Sequence, residues 1–191
     1  MQYLATTLAA LAFLTANAHA TPSTGALGDP EPKPHHKIER QRNVAFQLPG
    51  MSHHFSAPEN PHTKWNERNL GFGFEFRDAI DDPDWAGWSR KTTLGAMQDS
   101  LGAWGLYTGM TLQKRLASSP ITVDFGPGAF LFWRTFETDG PHRLMPAVLP
   151  VLSFEHRPTG IGLNMLFVPH LQLGSRGEMP AVLYGQVTVR F

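Results

Sequence analysis

The chain has 191 residues, with 16 Lys+Arg balanced by 16 Asp+Glu, no cysteine, 18 Gly and 16 Pro. That length supports one domain with a real core, the zero net charge gives no electrostatic reason to expect nucleic acid, and the lack of Cys removes disulfides and thiolate chemistry. No apolar run reaches the roughly 18–20 residues of a membrane helix, which excludes a helical membrane protein, and the mean hydropathy of -0.23 leaves a strand-built one open.

Leu4 to Ala16 is an apolar stretch that leads into Ala18-His19-Ala20, the small-residue pattern of a secretory cleavage site, which predicts a signal peptide over 1–20. The segment 21–42 holds several prolines and almost no large apolar side chains, and predicts an extended linker. His35 and His36 within it have no further ligand at metal-binding spacing and read as solvated residues.

From residue 43 onward the pattern has a period of two. Strands are predicted at about 44–56, 69–77, 90–99, 103–113, 121–137, 144–156, 160–170 and 180–191. Leu70, Phe72, Phe74 and Phe76 alternate with Gly71, Gly73, Glu75 and Arg77, and Trp104 and Leu106 alternate with Gly105 and Tyr107. One face is thus large and apolar, while the other mixes glycine with charged and hydrogen-bonding groups. A soluble barrel or sandwich would place its larger side chains inside. The opposite arrangement, with lipid outside and polar residues and glycines inside, predicts an all-β, eight-stranded antiparallel transmembrane β-barrel over 43–191. Alternation continues through Leu183, Gly185, Val187 and Val189 to a terminal Phe191, an ending similar to that of outer-membrane barrels.

Prolines interrupt this pattern. Pro146 and Pro150 share one strand segment, and Pro127 and Pro169 lie within or near two others. Each removes a ladder donor, so each marks either a strand end or a local opening in the barrel wall.

Three segments carry the groups that could do chemistry: Ser52-His53-His54-Phe55, Lys64-Trp65-Asn66-Glu67-Arg68-Asn69, and Gly95-Ala96-Met97-Gln98-Asp99-Ser100. A His on the first strand and an Asp-Ser pair at the end of another could meet at one rim. Imidazole as base, hydroxyl as nucleophile or donor, and carboxylate as orienting group would permit acyl transfer. Taken alone, a strand His and an Asp-Ser turn are also ordinary structural features.

The order of these segments, together with Trp104, the stretch from Leu144 to Leu152, Phe167-Val168-Pro169 and Arg190-Phe191, resembles the lipid A palmitoyltransferase family over residues 51–191. The resemblance implies an enzyme of the cell outer membrane. Such an enzyme is expected to act as a monomer and to move a palmitoyl chain from a glycerophospholipid donor to lipid A, without cofactor. It implies His54, with His53 as the alternative, together with Asp99 and Ser100 as the catalytic set. Gly71, Gly73, Gly105 and Gly109 would line an acyl tunnel, with Met97 at its wall or floor, and the prolines would mark lateral gates. The chain departs from the family in its Pro-rich linker and in the His-to-Asn66 offset, which leaves the acceptor open.

Two other functions stay open. An outer-membrane lipid esterase or deacylase would use a His-x-Ser pair such as His54-Phe55-Ser56, and a non-enzymatic structural barrel would need neither. No metal is indicated, because Asp81, Asp82 and Asp84 around Pro83 lack a calcium-loop spacing. Gly71-Phe72-Gly73 lies in a strand and not before a helix, so no nucleotide is indicated either.

Overall fold

A computed structural model describes residues 43–58, 64–80, 82–136, 140–172 and 178–191. The expected signal peptide and linker, with His35 and His36, lie outside the described residues, as does Asp81.

The strands are β1 (Asn43–His54), β2 (Arg68–Asn69), β3 (Gly71–Ala79), β4 (Trp88–Gln98), β5 (Trp104–Ser118), β6 (Ile121–Arg134), β7 (Arg143–His156), β8 (Ile161–Val168), β9 (Leu171–Gln172), β10 (Glu178–Met179) and β11 (Val182–Arg190). The order β11-β8-β7-β6-β5-β4-β3-β1 closes on itself through an antiparallel β1–β11 pair. With β2 continuing β3 along β1, this is a closed eight-stranded barrel. Closure pairs the first strand with the last, so the sheet has no unpaired terminal strand, the condition for a sheet exposed to lipid. β9 and β10 pair separately, beyond the end of β8.

Period-two alternation sends the two side-chain sets to opposite environments. Phe72, Phe74, Leu94, Trp104, Leu106, Phe125, Leu131, Trp133, Val148, Ile161 and Phe167 are all exposed. Such an apolar belt around a closed barrel is a lipid-facing surface. The inward set begins at the chain's 43-end with charge: Glu75 lies 3.6 Å from Arg77 and 3.9 Å from Lys91, and Glu155 bridges Arg77 at 3.0 Å and Arg190 at 3.2 Å. Asn164 donates to Glu75 at 2.7 Å and accepts from Ser153 at 2.7 Å, and Ser153 in turn accepts from Gln113 at 3.1 Å. This network fills the narrow interior at one end, where an eight-stranded barrel has little more than side-chain space.

The interior also has an apolar half. Phe130, Leu149 and Val151 are buried and pack with Phe132, Ala147, Leu166 and Val168. These inward residues depart from the polar, glycine-rich lumen that the strand pattern predicts. In β6 the inward face changes from Thr122 and Asp124 at one end to Phe130 and Phe132 toward the other, while Phe125 and Leu131 stay outside.

Breaking one side of the charged network isolates a buried cation, a change that typically costs about 3–5 kcal/mol. Glu75→Ala is therefore expected to lower sharply the temperature at which the folded barrel loses its compact electrophoretic mobility. The double change Glu75→Gln with Lys91→Met is expected to recover most of that loss. Wild-type thermal resistance in Glu75→Ala would contradict this account.

Candidate functional site

The site forms at the barrel end opposite the charged network, where β1 and β6 finish and the 99–103 turn joins β4 to β5. Connectors at the charged end include the short 119–120 and 157–160 links, whereas the site end carries the longer 55–67 and 169–181 connections. That asymmetry is the usual one between the periplasmic and external ends of such barrels.

The first strand holds an irregularity that decides which histidine enters. Between Gln47 and Gly50, β1 advances three positions while β11 moves only two, from Thr188 to Gln186. The extra residue falls at Leu48-Pro49. Up to there the odd positions Ala45 and Gln47 are buried; beyond it the even positions Gly50, Ser52 and His54 are buried. A bulge shifts alternation in this way. The His54 side chain is 1% exposed and that of His53 66%, so the choice between the two falls on His54.

His54 Nε2 lies 2.8 Å from Ser100 Oγ. Ser100 sits in a tight turn held by Asp99. One carboxylate oxygen of Asp99 accepts from the Leu101 N–H at 2.9 Å and the Ala103 N–H at 3.1 Å, and its carbonyl accepts from the Gly102 N–H at 3.0 Å. Gly102 has a φ of 81°, a conformation that favours glycine and lets the turn close. The other Asp99 oxygen lies 3.7 Å from Arg134 Nε. The predicted set of His54, Asp99 and Ser100 therefore converges, but the roles differ from those expected. Asp99 shapes the turn that carries Ser100, and its carboxylate is committed to that turn and to Arg134, not to the imidazole.

The 64–69 segment braces this arrangement from the side. The Asn66 N–H donates to the Ser100 carbonyl at 2.8 Å, and its side-chain amide donates to the Asp99 carbonyl at 3.1 Å. Asn69 ties the Asn66 and Gln98 carbonyls together at 3.4 and 3.1 Å. The Trp65 indole stacks on the His54 ring with centroids 4.6 Å apart and planes 12° from parallel, and its N–H donates to the Ser56 carbonyl at 2.9 Å. Glu67 Oε1 accepts weakly from the His54 backbone N–H at 3.5 Å and lies 4.0 Å from His54 Nδ1. Sequence reasoning singled out Trp65-Asn66-Glu67-Arg68 as a motif without giving its members roles. It passed over Arg134, whose only signal was a cation closing the apolar stretch from Ala129 to Trp133.

Below His54 and Ser100 a cavity of about 480 Å³ runs into the barrel. Met97, Phe130, Phe132, Leu149, Val151 and Leu166 line its sides. Across its path the Gln47 side-chain oxygen accepts from Thr93 at 2.8 Å and from Tyr107 at 2.7 Å, while Gln186 donates to the Tyr107 hydroxyl at 3.3 Å. Met97, two residues before Asp99, belongs to the wall near the mouth and not to the floor. Gly73 and Gly95 are required by this tie, because a Cβ at either would collide with the Tyr107 hydroxyl. Gly109 makes room in the same way for the Phe130 ring.

The hydrogen-bonded wall of the cavity is interrupted on one side among the described residues. The β7–β8 ladder runs from His156 only as far as Val151, opposite Leu166, and Arg143 to Pro150 have no ladder partner on that side among the described residues. Pro127 and Pro150 face each other across β6–β7. Neither has an N–H, so theirs is a non-hydrogen-bonded pair, and the Pro150 nitrogen points toward β8. Pro146 shares its parity. Both prolines thus remove donors from the edge where pairing fails, and Pro146 and Val148, on the outward set of β7, line the cavity as well. Pro127 has a smaller effect: the β5–β6 ladder skips Leu112-Gln113 against Gly126-Pro127 and resumes.

Neither a family model nor a curated protein matches the chain. Among solved structures the chain is similar to the Yersinia pestis outer membrane protein Ail in a phospholipid bilayer nanodisc, at 11% identity and a TM-score of 0.39, over 79% of this chain and 100% of that one. The barrel assignment rests on the strand pairing and not on this likeness.

Removing the extra residue of β1 is expected to abolish the bulge and leave both histidines facing as they do. In wild type, diethyl pyrocarbonate followed by peptide mass spectrometry should modify His53 well before His54. Deletion of Pro49 should keep that order, because it makes Gln47 and Gly50 successive inward positions in the same register with β11, and a reversed order would show that Leu48-Pro49 does not hold the extra residue.

Proposed function

We propose that this protein is an outer-membrane acyltransferase that moves a long acyl chain, palmitoyl in the first instance, from a glycerophospholipid to lipid A. The observation that carries the proposal is the 2.8 Å contact of His54 Nε2 with Ser100 Oγ at the mouth of an apolar cavity inside a lipid-facing barrel. An imidazole in hydrogen-bond contact with a hydroxyl is the geometry for proton removal and return. A hydrocarbon chain in the cavity avoids water at about 0.8 kcal/mol per methylene. The break in the wall between β7 and β8 gives a membrane lipid a sideways route, so the chain need never leave an apolar environment.

In this reading His54 takes a hydroxyl proton as the donor ester is attacked and returns it to the departing glycerophospholipid oxygen. Asp99 holds the turn that places Ser100, and Arg134 balances the Asp99 charge. Trp65 fixes the plane of the imidazole. The longer connections at the site end support placing it on the external side, where lipid A resides. The esterase alternative has less support, since Ser56 lies beyond the end of β1 and offers its carbonyl to Trp65, whereas Ser100 takes the inward nitrogen of His54.

The test is transfer by purified protein in mixed micelles of palmitoyl-labelled phosphatidylcholine and lipid A, read by mass spectrometry of both lipids. Ser100→Ala and His54→Ala are each expected to lose at least about a hundredfold in rate, and His53→Ala to stay near wild type. Full activity in Ser100→Ala and His54→Ala, or release of free fatty acid with no acylated acceptor, would overturn the proposal.

A further inference from the structure

The hydroxyl–imidazole contact leaves one part of the proton path without an obvious partner. If His54 Nε2 accepts the Ser100 proton, the neutral ring must carry its own hydrogen on Nδ1. That Nδ1 is buried and makes no hydrogen bond. A group that receives it would hold the ring in the productive tautomer and stabilise the cation formed when Nε2 takes a second proton.

Asp99, the carboxylate that the motif order singles out, is unsuited to this task. One of its oxygens already accepts two backbone N–H groups, and the other faces Arg134. The carboxylate on the Nδ1 side is Glu67, whose Oε1 lies 4.0 Å away and within 3.5 Å of the His54 backbone N–H. The Glu67 backbone is fixed, since its carbonyl accepts from the Ser52 N–H at 2.9 Å. The stacked Trp65 ring sets the imidazole plane, so Nδ1 can only turn within that plane. Catalytic contacts in ligand-free proteins often stand slightly long and tighten when substrate binds, and a small rotation about the Glu67 side-chain bonds closes this one.

We propose that Glu67 is the positioning carboxylate of His54, so that Glu67, His54 and Ser100 work as a relay while Asp99 and Arg134 shape the turn. This rests on the acyl-transfer reading of His54 and Ser100. His53 competes for the same oxygen, with its Nδ1 3.7 Å from Glu67 Oε1. Because His53 is on the outer side of the strand and well exposed, solvent offers it other partners. The buried Nδ1 of His54 has none.

Glu67 is half-exposed, so Glu67→Gln is compatible with folding, which retention of the compact electrophoretic band checks. In the micellar transfer assay, Glu67→Gln is expected to lower kcat by at least about tenfold with KM within about twofold. Glu67→Asp should recover part of the rate, and His53→Ala should leave it unchanged. Independently of turnover, nitrogen-15 spectra of selectively labelled protein should show His54 protonated on Nδ1 in wild type and a mixture of tautomers in Glu67→Gln. Wild-type kcat in Glu67→Gln, or an unaltered His54 tautomer, would overturn the assignment. An inactive wild type with the predicted tautomer change would instead overturn the transferase reading and leave the Glu67–His54 interaction standing.

Discussion

In a β-strand each side chain faces opposite to the one before it, so adjacent histidines cannot both enter a barrel. Which one does is settled at a distance, by a single extra residue at Leu48-Pro49. Without that bulge the phase set by Ala45 and Gln47 would turn His53 inward and His54 toward lipid. With it, His54 meets Ser100, Trp65 can stack on the buried ring, and Glu67 lies on the Nδ1 side. Proline suits the position because it has no N–H to leave unpaired where the ladder is broken.

Barrel closure has a second consequence. Since the backbone satisfies itself around the ring, the wall can be interrupted only where something removes the need for pairing. Pro146 and Pro150 do this along one edge of β7 by deleting donors, and the gap coincides with the stretch of wall that lines the cavity. The two ends of the lumen are complementary. Glu75, Lys91, Arg77 and Glu155 fill one end with paired charge. The tie between Gln47, Thr93, Tyr107 and Gln186 lies between that end and the apolar walls of Phe130, Leu149 and Val151, and Glu75 and Lys91 line the same cavity beyond it. A hydrocarbon chain entering below Ser100 would meet apolar contacts along its length and polar, already bonded groups at its end.

Much of this was legible in the sequence, for a definite reason. Gly71, Gly73, Gly105 and Tyr107 alternate with Leu70, Phe72, Trp104 and Leu106, and that contrast marks both strand and face. In β6 parity alone puts Val123, Phe125, Ala129, Leu131 and Trp133 on one face and Phe130 and Phe132 on the other, as observed; the sequence did not show that the inner face turns apolar there. The convergence of His54 with Asp99 and Ser100 followed from motif order, but not their division of labour. A carboxylate beside a serine reads as part of a relay, and only the two N–H bonds it accepts reveal it as the brace of a turn. The choice of His54 over His53 came in the sequence from the resemblance alone; the bulge that turns His54 inward shows only in the pairing of β1 with β11.

The central claim is that the His54–Ser100 contact serves acyl transfer to lipid A. The most direct measurement is mass spectrometry of lipid A from a host lacking such an activity, expressing either wild type or Ser100→Ala. The account predicts lipid A heavier by one long acyl chain with wild type and unmodified lipid A with Ser100→Ala. Unmodified lipid A in both, with equal amounts of folded barrel in the outer membrane, would contradict it.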